Sequence, residues 1–181
     1  AAMVTPETLV EAASAKVTIS DADETTLAAT AVSAIGAKTS GVVTVSNAVT
    51  ITGAAAQVTA ALVTSETLVV AEKAKVTVTG TIGVTEVNAI AAKTAGVVTA
   101  TVTAAAASDL VSVLTQANAN DALKLTVNAE TSGTTAAADL VALDGKTDQT
   151  ITVVAGVISG SFADVKNVYV THAAQYTGLG D

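Results

Sequence analysis

The sequence predicts an α/β fold: an αβ-solenoid of about six strand–helix repeats, with a parallel sheet, helices on one face, and a curved or superhelical course. Three observations predict it. The chain echoes itself at long, regular offsets. Each echo alternates a Val/Thr run with an Ala/Leu/Val run. The apolar half of the composition is almost free of rings: 50 % of the 181 residues are hydrophobic but only 2 % are aromatic. Large rings normally supply much of a core's burial and line most ligand pockets. Without them a core is a thin layer of small side chains, which suits stacked elements.

The echoes come first, because fixed-period self-similarity outranks any single motif. KTSGVVTV at Lys38–Val45 returns as KTAGVVTA at Lys93–Ala100, an offset of 55 residues, and Lys38–Thr64 lies over Lys146–Thr171 at an offset of 108 with one residue deleted. ETLV at Glu7 and again at Glu66 is each time followed by AKVT, at Ala15–Thr18 and Ala74–Thr77. The strands are read from alternation of β-branched residues with Thr: VTIS from Val17, VVTVS from Val42, VTVT from Val76, VVTATVT from Val97, LKLTV from Leu123 and TITVV from Thr150. Between them, helical spacing appears in Thr26–Ile35, Thr85–Ala92, Ser108–Ala117, Ala138–Leu143 and Phe162–Val170. Asp21 with Glu24 and Ser161 with Asp164 have capping-box spacing, and Thr5 before Pro6 fits an N-cap with proline at the first helical position. Gly36, Gly41, Gly96 and Gly145 punctuate helix exits and strand entries. The strand starts step by about 27 residues, within the range of stacked repeats. The breaks divide the chain into a shorter block, 1–74, and a second block, 75–181, continuous in one repeat domain.

Strands joined by such helices pair in parallel through right-handed crossovers. Strands covered on both sides read as continuous apolar runs. These alternate instead, which places Val, Ile and Leu under the helices and Thr18, Thr44, Thr77, Thr79, Thr99, Thr101, Thr126 and Thr152 on an open face. Strands sit about 4.8 Å apart and helices 8–10 Å apart, so the stack must curve or coil.

Composition also bears on function. The net charge of −8, from 16 acidic and 8 basic residues, leaves no basic footprint for nucleic acid and no basic amphipathic face for an anionic membrane. Apolar runs are broken well short of a spanning helix, and the start AAMVTPETLV has no basic leader region. There is no Cys and only one His, so no thiol chemistry, zinc cluster or paired-histidine site is expected. His172 reads as a polar helix-end residue. The Asp21, Asp23 and Glu24 group reads as capping. LDGKTD at Leu143–Asp148 and GLGD at Gly178–Asp181 are turn-like, and their low ligand count leaves room only for weak calcium binding. Phosphate-cradling and Ser-nucleophile motifs are absent. No catalytic, cofactor or metal residue is expected, and the chain reads as not an enzyme.

The phrases AIAAKTAGVVTATVT (Ala89–Thr103), AAADLVALDGKT (Ala136–Thr147), ISGSFADVKNVYVT (Ile158–Thr171) and the closing TGLGD (Thr177–Asp181) resemble the tandem repeats of very large bacterial cell-surface proteins, including the cyanobacterial type linked to swimming motility. That resemblance implies a secreted, extended αβ-solenoid array serving as spacer or scaffold at the cell surface. It supplies no catalytic residues. The expected partners are neighbouring repeats of the same chain, with end-to-end self-association as a further option. The alternative is an adhesin or an ice- or glycan-binding module using the eight threonines.

Overall fold

Valine–threonine alternation forms parallel strands, and it does so in a mixed α/β chain. A computed structural model describes residues 13–64, 68–154 and 156–179. In chain order the elements are β1 (Val17–Ile19), β2 (Thr26–Ala28), α1 (Ala29–Gly36), β3 (Val43–Val45), β4 (Thr50–Ala54), α2 (Ala55–Leu62), β5 (Val69–Val70), β6 (Lys75–Ile82), α3 (Val84–Ala91), β7 (Val98–Val102), β8 (Ala105–Ala106), α4 (Ala107–Val113), β9 (Ala122–Lys124), β10 (Thr126–Asn128), β11 (Thr134–Ala136), α5 (Ala137–Asp144), β12 (Ile151–Val154), β13 (Val157–Ser159), α6 (Phe162–Lys166) and β14 (Tyr176–Thr177). A π-helical turn, Asn167–Thr171, and a 3-10 turn, Ala173–Gln175, join α6 to β14.

The chain forms two compact units, one of Ala1–Gly80 with Ala89–Val98, the other of Thr81–Asn88 with Thr99–Asp181. In the first unit β1, β3 and β5 pair in parallel, with Val17 beside Val43 and Val43 beside Val69. A second parallel set runs β2, β4, β6, bringing Leu27, Ile51 and Val76 into one row. In the second unit β7 pairs with β9, β8, β10, β12 and β14 follow one another, and β11 pairs with β13, all in parallel.

This corrects the expected architecture in one respect. Each helix is preceded by at least two strands rather than one. The parallel strands are therefore divided among several sheets rather than gathered in one. Between β1 and β2 the division comes from a sharp bend. At Asp21–Thr25, Glu24 adopts φ 66°, and the Thr25 N–H donates back to the Ala22 carbonyl at 3.1 Å. The chain then re-enters extended backbone as β2.

The second strand runs straight into the helix. Ala28, Ala54, Ala106 and Ala136 occupy the N-cap position in extended conformation, and no side chain of theirs caps the helix. Asp21 with Glu24, expected to cap a helix, sits before β2 instead. Ser161 with Asp164 does cap α6: the Asp164 N–H donates to Ser161 Oγ at 3.2 Å. The Thr5–Pro6 cap and the first ETLV lie outside the described residues.

Small side chains permit close stacking at the strand-to-helix corner. A Cβ on Gly53 would come 3.0 Å from the Ala29 Cβ, and one on Gly160 would come 3.1 Å from the Ala137 Cβ. The inward residues of the strands are buried beneath the helices. In the first unit Val43, Val45, Ile51 and Val76 are covered together with Val32, Val58, Ala61 and Leu62. In the second, Leu123, Leu125, Val127, Ile151 and Val153 are covered together with Leu110, Leu140, Leu143 and Val168. Burying a Val or Leu contributes about 1.5–3 kcal/mol, so many modest contributions replace the few large ones that rings would give.

Candidate functional site

The eight threonines do not lie in one sheet. Thr18 and Thr44 are register partners on β1 and β3. Thr77 and Thr79 lie on β6, where Thr77 is the partner of Thr52. Thr99 and Thr101 lie on β7, opposite Ala122 and Lys124. Thr126 and Thr152 are partners on β10 and β12, and β14 adds Thr177 beside Thr152. Thr18, Thr79, Thr99 and Thr101 are exposed, whereas Thr44, Thr77, Thr126 and Thr152 are half-buried. One row, Thr126–Thr152–Thr177, is three residues long. The Thr177 hydroxyl donates to Thr152 Oγ1 at 3.4 Å.

A different set of threonines does concerted work. Thr39, Thr94 and Thr147 are the Thr of the three Lys-Thr echoes, and each reaches back to the start of an earlier strand. Thr39 Oγ1 donates to the Ala15 carbonyl at 2.6 Å, and Thr94 Oγ1 to the Ala74 carbonyl at 2.5 Å. Thr147 Oγ1 sits 2.8 Å from the Leu123 carbonyl and 3.1 Å from that of Asp121. The same oxygens accept from the backbone N–H two residues on, at Gly41, Gly96 and Gln149. The residue after each Thr adds a backbone bond: Ser40 N–H to Ala13, Ala95 N–H to Glu72 and Asp148 N–H to Asp121, at 2.7, 2.8 and 2.8 Å.

Glycine follows in two copies because the backbones approach too closely for a side chain. A Cβ on Gly41 would lie 2.2 Å from the Ala15 carbonyl oxygen, and one on Gly96 would lie 2.3 Å from that of Ala74. The Lys-Thr and AKVT echoes are thus two halves of one contact. In the sequence alone the two phrases read as separate repeats.

The acidic group likewise contacts residues distant in the sequence. Asp23 Oδ1 accepts the Ala48 N–H at 2.8 Å, the Asp21 carbonyl accepts from Asn47 Nδ2 at 2.7 Å, and Glu24 pairs with Lys75 at 2.7 Å. His172 closes the π-helical turn and its Nδ1 lies 2.6 Å from Asp144 Oδ2 at the end of α5. It is more than a polar helix end, because it places a basic ring against a carboxylate at a helix C-terminus, where negative charge is disfavoured. Nearby, the Tyr176 hydroxyl donates to the Leu140 carbonyl at 3.0 Å. Burial, and secondarily the Asp144 charge, push the Tyr176 phenol up to about 12.

Among the described residues no group of three or more His, Cys, Asp or Glu is placed to hold a metal ion. No described helix is long and apolar enough to cross a membrane. One shallow apolar groove, lined by Val42, Leu62, Leu68, Val70 and Lys93 among others, measures about 210 Å³. It lacks the convergent polar groups that orient a substrate. Comparison with family models, curated proteins and solved structures gives no match.

Proposed function

We propose that the chain is a structural module, an αβ-solenoid whose strand–strand–helix turns act as spacer or scaffold in a larger secreted or cell-surface protein, and that it is not an enzyme. The observation that carries this reading is the threefold recurrence of the Lys-Thr contact. Thr39, Thr94 and Thr147 each spend a side chain on holding the next turn to an earlier one, so the polar groups that recur are committed to stacking. Parallel pairing supports it too: partners lie 26 residues apart from Val17 to Val43 and from Thr126 to Thr152. In a stack of this kind each turn adds about 4.8 Å of rise, and each turn is sheltered chiefly by its neighbours.

Surface location is tested directly. An antibody raised against the chain should label intact cells of the source organism, and external protease should remove the label. Signal found only after lysis would overturn the surface assignment.

The Thr126–Thr152–Thr177 row favours a second reading, an adhesin or an ice- or glycan-binding module. Retention of the purified chain on ice or on crystalline polysaccharide, lost in Thr126→Lys, would favour that reading over the scaffold.

A further inference from the structure

We draw no further inference here: the strongest candidate, the shallow apolar groove lined by Val42, Leu62, Leu68, Val70 and Lys93, carries nothing, because nothing in the structure shows what covers it.

Discussion

Two buried threonines show how one hydroxyl stabilises and another destabilises. Thr147 Oγ1 accepts from the Leu123 N–H at 2.9 Å and lies 2.8 Å from the Leu123 carbonyl. Thr135 is equally buried on β11, but its hydroxyl has no hydrogen-bond partner. Valine has nearly the same shape as threonine, so one substitution separates the two cases. Thr147→Val leaves buried backbone groups of Leu123 short of a partner and should cost about 1–3 kcal/mol. Thr135→Val removes an unpaired polar group and should stabilise by about 1 kcal/mol. Urea midpoints of the two variants check the pair, and the same sign in both would refute the assignment. Tyr176 gives a prediction in pH. Its phenol ionises near 10 when unfolded and near 12 in the fold. The fold therefore favours the neutral ring. That contribution is intact below pH 10 and is lost as pH rises toward and through 12. Across that interval the wild-type urea midpoint should fall more steeply than that of Tyr176→Phe. Parallel slopes would show that Tyr176 does not carry the effect.

Helices that begin without a polar cap can be improved. Ala136 is an exposed N-cap in extended conformation with no side-chain bond to the first turn. Ala136→Ser should gain about 0.5–1 kcal/mol, and Ser161→Ala, which removes the cap of α6, should lose about 1 kcal/mol; thermal midpoints report both. The alanine caps also explain which elements were legible in the sequence. The first strand of each turn was readable wherever Val and Thr alternate, as at Val43–Val45 and Ile151–Val154. β2, β8 and β11 are two or three residues long, too short for alternation to register. They also pass without a break into Ala-rich helix, so Thr26–Ala28 read as the start of a helix. The Lys-Thr contact was hidden for another reason. Its residues were in view as repeats, but a hydroxyl whose partner lies twenty or more residues upstream leaves no local pattern. The threonine rows were legible as strand positions. Their division among sheets followed from the second strands and was invisible with them.

At the scale of the whole molecule, damage should stay near its origin. Each of the two compact units buries its own apolar side chains. In the repeat array proposed above, stability is close to a sum of local and nearest-neighbour contributions, so a cavity loosens the elements around it before it loosens the rest. Leu140 is the sharpest probe. Its side chain is fully buried in α5, and α5 packs on α4 and α6. Truncation to alanine leaves the backbone carbonyl that Tyr176 uses, so the lost methyl groups are the only change. Leu140→Ala should cost about 2–5 kcal/mol. Hydrogen exchange followed by mass spectrometry should show protection falling in peptides covering β10 to α6, while peptides covering β3 and β4 keep their wild-type rates. Equal loss of protection in all of these peptides would mean that the chain opens as one cooperative body, and the nearest-neighbour account of its stability would fail.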